Sequence, residues 1–410
     1  MDIILTDEQQ SAIKMTMDNP VSILTGGPGS GKTMTCKKII QAAQNNKYSI
    51  NLCAPSGKAA RRMSEATGWN ASTIHKLLEA QMNNGEFIFA CGRTNPLKSD
   101  LIICDETSMV SSDLMASLLN AVENRTKILF VGDQDQLPSI SAGAVLRDFL
   151  ASKIIPHVNL SKIHRNSGDI VKACHKIKHG SSYTPSATLD LKTGLNLRHI
   201  EISSPAKIVK VIEDIIVNRM PERGYDPIWD VQVLCPTNKK TAMSCKGINE
   251  ILQNSLNKNG PQEKTIFRAG DKVIQTKNKE IDGEYIVNGD IGQVVNIDKK
   301  GLKVKFFDPD RIVNISKTVN NLLMAYAITG HRFQGSEAPV IIIPVHKSFS
   351  FLVNRPWIYT AISRAQKICI TIGQFSAIEK AIRKEDANVR VTRLQNLLES
   401  STKILLGQSW

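Results

Sequence analysis

The chain has 410 residues, 41% hydrophobic and 22% charged, with a formal net charge of +14. That length exceeds a single core and predicts about two to four domains, while no apolar run approaches the ~18 residues of a membrane-spanning helix. The basic surplus favours a polyanionic partner, nucleic acid first, with a merely basic surface as the other reading.

Residues Met1 to Glu8 lack the basic stretch and cleavage site of a signal peptide. The 8 cysteines are scattered, with no Cys-x-x-Cys pair and no Cys/His cluster at zinc spacing. Reduced thiols in a cytosolic protein are expected.

Thr6-Asp7-Glu8-Gln9 opens a helix with a capping box, Thr6 accepting from the Gln9 amide while Gln9 reaches back. Gln9 has a second reading, contact with an adenine edge, and both stay open. Val21 to Thr25 then reads as a short buried strand. It runs into Gly26-Gly27-Pro28-Gly29-Ser30-Gly31-Lys32-Thr33, which fits G-x-x-x-x-G-K-[ST]. In that pattern backbone amides cradle phosphates, and glycine permits the close approach because a Cβ would collide. From Lys32 through Met34 a helix begins, its free N-terminal amides facing an anion. Lys32 balances γ-phosphate charge and Thr33 holds Mg²⁺ through its hydroxyl, so ATP and Mg²⁺ are the expected cofactors.

Ser49 to Ala54 is a second strand, leading through Pro55-Ser56-Gly57-Lys58 into a helix carrying Arg61 and Arg62. Thr73-Ile74-His75 starts another helix. Hydroxyls and amides at such starts suit phosphate contacts, and ordinary capping explains Ser56 and Thr73 equally well. Residues 80–99 break the α/β rhythm, with a turn at Asn83-Asn84-Gly85 and a short strand at Glu86 to Phe89. This insertion reads as a pin meeting a duplex or as a plain surface excursion.

Leu101 to Cys104 is an apolar strand ending in Asp105 and Glu106. The first acid at such a strand end holds Mg²⁺, and the second orients or deprotonates an attacking water. Lys127 to Val131 is a further strand, opening into the loop Gly132 to Ile140. Gln136 falls at the carboxyl edge of the predicted sheet, where it can touch a γ-phosphate; a polar loop is the alternative.

In the second half, Val231 to Asn238 is a strand leading into a helix near 248–256. Short alternating strands fill 267–322, with a tight-turn signal at Asn288-Gly289, and predict a small inserted β-barrel. A helix over 389–397 is expected in the tail, without a readable role.

Taken together, these stretches resemble the motifs of superfamily 1 helicases, most closely the RecD-like and Dda-like branch, superfamily 1B. Gly26 to Thr33, Asp105 to Val110 and Gly132 to Ile140 resemble motifs I, II and III. Leu160 to Arg165 resembles motif IV, Ala325 to Glu337 motif V, and Tyr359 to Ala365 motif VI. The matches run from about residue 5 to 373. Gly330 and Arg332-Phe333 depart from what related chains often carry.

The resemblance implies an α/β fold of two RecA-like P-loop domains with ATP in the cleft between them. Residues 1–159 would form domain 1A with 80–99 as its pin, 160–266 and 323–410 domain 2A, and 267–322 an SH3-like barrel. It implies Arg165 and Arg364 as arginine fingers, and Gln334, Gly335 and Glu337 beside the nucleotide. Ser56, Lys58, Thr73, His75, Thr329 and His331 would line the strand path. The activity implied is ATP hydrolysis driving 5′-to-3′ movement on single-stranded DNA and unwinding at duplex junctions. A monomer in the cytoplasm is expected (a host's, for a phage-encoded chain), with single-strand-binding or replication proteins as candidate partners. An RNA helicase or RNA-stimulated ATPase is the alternative, and a non-motor ATPase subunit a more distant one.

Overall fold

The computed structural model describes residues 5–83, 86–161, 168–238, 241–263, 265–281, 283–299, 301–307, 310–316, 321–384 and 390–405. They form two compact units, Met1–Arg165 together with Asn388–Trp410, and Asn166–Ala387.

The first unit opens with α1 (Asp7–Asp18), β1 (Val21–Gly26), α2 (Lys32–Asn45), β2 (Ile50–Ala54) and α3 (Gly57–Thr67). It continues through β3 (Ala71–Thr73), α4 (Ile74–Leu77) and the strands β4 (Ala80–Asn83) and β5 (Glu86–Phe89). Then come β6 (Leu101–Cys104), α5 (Ser112–Asn120), β7 (Lys127–Gly132), α6 (Val145–Ser152) and β8 (His157–Leu160). Six strands make one sheet in the order β3-β2-β6-β7-β1-β8, and every pairing in it is parallel. The sequence requires this arrangement. The runs Leu101–Cys104 and Ile128–Gly132 are apolar on both faces, and each face is buried in its own cluster around Phe130 or Leu129. Parallel strands all end at one edge, so the turns after β1, β2, β3, β6 and β7 gather there. The insertion is a hairpin, with Ala80 opposite Phe89 and Asn83 opposite Glu86, as the Asn-Gly turn signal implies.

The second unit contains α7 (Asp169–Lys178), β9 (Leu197–Glu201) and α8 (Pro205–Asp214), which passes through a π-turn into α9 (Met220–Glu222). After β10 (Val231–Cys235) and α10 (Cys245–Leu256) the chain leaves the α/β pattern for seven short strands. These are β11 (Lys272–Gln275), β12 (Lys279–Ile281), β13 (Glu284–Ile286), β14 (Ile291–Ile297), β15 (Leu302–Phe307), β16 (Asp310–Ile315) and β17 (Leu322–Met324). Five of them form an antiparallel sheet, β16-β15-β14-β11-β17, around a separate core that includes Val273, Val304, Phe306 and Val313. Strict alternation in β16, buried at every second residue, matches a sheet with one wet face. The α/β pattern resumes with β18 (Ala327–Thr329), β19 (Ala338–Val345), α11 (Arg355–Ser363), β20 (Ala365–Gly373) and α12 (Phe375–Arg383). Its sheet is parallel, ordered β18-β10-β19-β20-β9.

One expected boundary is corrected. The tail 388–410 was expected to close the second domain, yet it belongs to the first unit. Its helix α13 (Leu394–Leu405) starts later than the predicted 389–397, and Leu394 and Leu398 pack onto the first unit's core. The apolar spacing of a helix specifies a buried stripe but not which domain buries it. The first unit likewise extends past 159, because Leu160 ends β8 and pairs with Gly26.

Candidate nucleotide and nucleic-acid site

Within the first unit the loop after β1 turns through left-handed backbone at Gly29 (φ 70°) and Gly31 (φ 87°). A side chain at either would be strained, and the turn aims successive amides inward. Gly31 caps α2 with no side-chain hydrogen bond, leaving the helix amides to an outside acceptor. Ser30 donates to the Gly27 carbonyl at 2.8 Å, bracing the loop around Pro28. Lys32 Nζ donates to the carbonyls of Gly26 (2.6 Å) and Gly27 (3.1 Å), so its ammonium lies across the loop. Thr33 is exposed and Met34 half-buried on the first turn of α2.

At the end of β6, the Asp105 amide donates to the Cys53 carbonyl, and Asp105 Oδ1 accepts from the Glu106 amide at 2.8 Å. Burial first, and the Glu106 charge second, push the Asp105 carboxyl up from 3.8 to about 6. The Glu106 amide, Lys32 and Arg62 pull the other way. Lys32 from the glycine loop and Asp105 from β6 therefore share one electrostatic environment. Arg62, on the basic helix α3, acts on this carboxylate through its charge. Glu106 itself holds φ 50°, unusual for a residue with a side chain.

Beyond β7, Gln136 is buried, its Nε2 at 3.4 Å from Asp133 Oδ2 and its Oε1 without a partner among the described residues. A buried amide oxygen left so is costly unless something else satisfies it. Gln9 forms the predicted capping box, its Oε1 accepting from the Thr6 amide at 3.0 Å. Ser56 and Thr73 both cap helices, accepting from the amides of Ala59 (3.2 Å) and Lys76 (3.1 Å). Each such hydroxyl keeps its own proton to donate. Lys58 lies on the first turn of α3. His75 packs its ring 4.7 Å from Phe87 and 5.9 Å from Phe89, fastening α4 to the hairpin. Burial holds its pKa below the ordinary value. Phe87 and Ile88 are half exposed at the hairpin's end.

In the second unit, Thr329 ends β18, opposite Cys235 of β10, and His331 follows on an exposed turn. A Cβ on Gly330 would stand 3.0 Å from Trp357 Nε1, which accounts for the glycine at this unexpected position. Gln334 and Gly335 are buried in the turn, and Glu337 is exposed, accepting from Gln366 Nε2 at 3.4 Å. Arg364 follows the buried helix α11 and is only 3% exposed. Its Nη1 reaches the Ser336 carbonyl at 3.5 Å, and its Nε has no partner among the described residues. An enclosed guanidinium so lightly paired is suited to an anion. Arg165 lies outside the described residues.

Among the described residues no group of His, Cys, Asp and Glu could hold a metal by protein ligands alone, and no helix is long and apolar enough to cross a membrane.

Three family models match: an AAA domain over residues 4–193, the ATP-dependent RecD-like DNA helicase SH3 domain over 248–306, and the UvrD-like helicase C-terminal domain over 324–372. The chain is 34% identical over 389 residues to the ATP-dependent RecD2 DNA helicase of Deinococcus radiodurans, covering 93% of this chain and 51% of that protein. It thus spans about half the length of that relative. It is 30% identical over 428 residues to the RecBCD enzyme subunit RecD of Mycolicibacterium smegmatis, covering 96% of this chain and 75% of that subunit. In fold it is similar to Bacteroides Pif1 bound to single-stranded DNA, with a TM-score of 0.55 at 18% identity and 99% coverage of both chains. With its glycine cradle, paired carboxylates and SH3 domain in the expected order, the chain belongs to the RecD-like family of ATP-dependent DNA helicases.

Proposed function

We propose that the protein hydrolyses ATP to move 5′-to-3′ along single-stranded DNA and to part the duplex ahead. One observation carries this reading: the glycine cradle, Lys32, Asp105 and Glu106 meet at one sheet edge, with Lys32's charge felt by Asp105. The relatives named as DNA helicases favour DNA over RNA as the track.

The donor set fits a nucleotide with Mg²⁺. Thr33 offers an exposed hydroxyl and Asp105 a carboxylate, a pair suited to a metal that also takes phosphate oxygens. When bound, Mg²⁺ neutralises charge on the transferring phosphoryl group. The N–H groups of Gly27 and of Gly29 to Thr33 bind phosphate oxygens, and Lys32 moves its ammonium from the loop carbonyls to the β/γ-phosphates. Glu106 orients the attacking water and takes its proton. Gln136 senses the γ-phosphate through its buried amide. Arg364, with Arg165, supplies positive charge to the equatorial oxygens. Gln9, already fixed by its cap, presents its remaining amide edge to the base, and Met34, Gln334, Gly335 and Glu337 complete the nucleotide's surroundings. Ser56, Lys58, Thr73, His75, Thr329 and His331 contact the strand, the hydroxyls donating to phosphates. Residues 80–99, which include the β4–β5 hairpin, act as the pin.

The test is ATP hydrolysis with no polynucleotide, with single-stranded DNA and with RNA of equal length, followed by unwinding of 5′- and 3′-tailed duplexes. Stimulation by DNA and unwinding from the 5′ tail are expected. Flat hydrolysis across all three conditions would sink the motor reading, and stimulation by RNA alone would change the track.

A further inference from the structure

The loop that carries Gln136 is held by a residue from the far end of the chain. Between β7 and α6, residues 133–144 form no helix or strand. A loop this long inside a compact unit is seldom rigid unaided. Its first turn is braced locally, by the Gln136 amide to the Asp133 carbonyl (3.3 Å) and the Asp135 amide to Asp133 Oδ1 (3.1 Å), and its far end by the Ser112 amide to the Ala142 carbonyl (2.9 Å) and the Ser139 hydroxyl to the Ser141 carbonyl (2.6 Å). Arg390 adds a clamp from outside the loop. Its Nη1 donates to the Gly143 carbonyl at 2.6 Å, to Ser139 Oγ at 3.3 Å and to the Ser141 carbonyl, while its Nη2 donates to the Ser139 carbonyl. One planar fork thus gathers three carbonyls spread over five residues, a geometry a lysine cannot copy.

The fork is itself anchored on both sides. Arg147 Nη2 of α6 donates to the Arg390 carbonyl at 2.8 Å and pairs with Asp148 at 2.9 Å. Asp148, 3% exposed, also accepts from the Thr392 hydroxyl. Immediately beyond, Leu394 and Leu398 seat α13 against the core. These contacts all lie within the first unit, though the segment follows the whole second unit in sequence.

We propose that Arg390 is a positioning residue for the nucleotide site: by clasping residues 139–143 it fixes the loop so that Gln136 meets the γ-phosphate. This rests on the reading of Gln136 given above. A plain structural role would instead make 390–405 a cover for α6, acting only through stability.

The two are separated with Arg390→Ala in the full chain, compared with Gln136→Ala, the double variant, and Leu398→Ala as a packing control. The expected result for Arg390→Ala is a fall in DNA-stimulated kcat on the order of tenfold or more, the scale of a misplaced group near the reacting centre. KM for ATP and affinity for single-stranded DNA should stay within about threefold, and millimolar guanidinium should restore part of the lost kcat to this variant alone. Leu398→Ala should lower the unfolding temperature while keeping kcat. The double variant should be no slower than Gln136→Ala, since both lesions strike one step. Wild-type kcat in Arg390→Ala, or a loss matching only the loss of folded protein, would overturn the proposal. So would additive losses in the double variant. Full activity in Gln136→Ala beside a slow Arg390→Ala would refute the assignment of Gln136 and, with it, this route for Arg390.

Discussion

Tyr326 donates its hydroxyl proton to Asp271 Oδ1 across 3.0 Å, joining the residue before β18 to the one before β11. The same carboxylate accepts from Gln253 (2.5 Å) and Asn257 (2.8 Å), at the C-terminal end of α10 and just past it, and from the Arg268 amide (2.7 Å). Burial, then the Asp271 charge, push the Tyr326 hydroxyl well above the ordinary tyrosine range, so it stays a donor. One fully buried acid therefore ties the entry of the SH3-like domain to the strand ending at Thr329.

Removing that donor tests the tie. Tyr326→Phe leaves Asp271 short of one partner and should cost about 1–3 kcal/mol. In a domain of this size that lowers the thermal midpoint by roughly 2–4 °C per kcal/mol. An unchanged midpoint in calorimetry would mean the hydroxyl contributes nothing measurable.

Lys32→Ala separates binding from turnover. The ammonium meets charge that develops on the phosphates, so ATP hydrolysis should fall below detection. Affinity for single-stranded DNA, read by fluorescence anisotropy, should stay within about threefold because phosphate contacts of the track are made elsewhere. Loss of both would indicate misfolding in place of a catalytic defect.

Asp105→Asn should trade activity for stability. The folded-state pKa is raised from 3.8 to about 6, so ionising this acid opposes folding. The penalty is absent below about pH 4, grows as pH rises, and is complete above about pH 6. Since the residue is not wholly enclosed, a gain of about 1–2 kcal/mol at pH 8 is expected for the amide in nucleotide-free protein, with no gain at pH 4. Turnover should vanish. Denaturant titrations at the two pH values check the sign, and a variant less stable at pH 8 would contradict the desolvation account.

The hairpin makes a separate prediction. Phe87 is held beside His75 and half exposed at the tip. Phe87→Ala should slow unwinding of a tailed duplex several-fold while DNA-stimulated ATPase changes by less than about twofold, because stacking surface rather than the sheet edge is removed. Unwinding at the original rate would reduce 80–99 to a surface loop.

Much of this was legible in the residues, and the reasons differ by element. Gly29 and Gly31 announce the phosphate loop because few other residues tolerate left-handed backbone. Thr6 and Gln9 announce a cap because the bonds are local. The alternation of Asp310–Ile315 announces a one-faced sheet. What the sequence concealed depends on distance along the chain. Nothing near Arg390 points to Ser139, 251 positions earlier, and Arg62 looks like any solvated helix charge until Asp105 is folded beside it. The reason for Gly330 is Trp357, 27 positions later, whose indole crowds the place a Cβ would take.

The late arrival of α13 has a consequence for synthesis. As the chain emerges from a ribosome, residues 5–161 come out before 390–405, so the face of α6 covered by Leu394 and Leu398 stays bare until that later stretch is translated. The intervening unit can fold as a body in the meantime, since domains generally fold as they appear. The first unit is thus begun before the second and completed after it, and its nascent form must wait, partly uncovered, for α13.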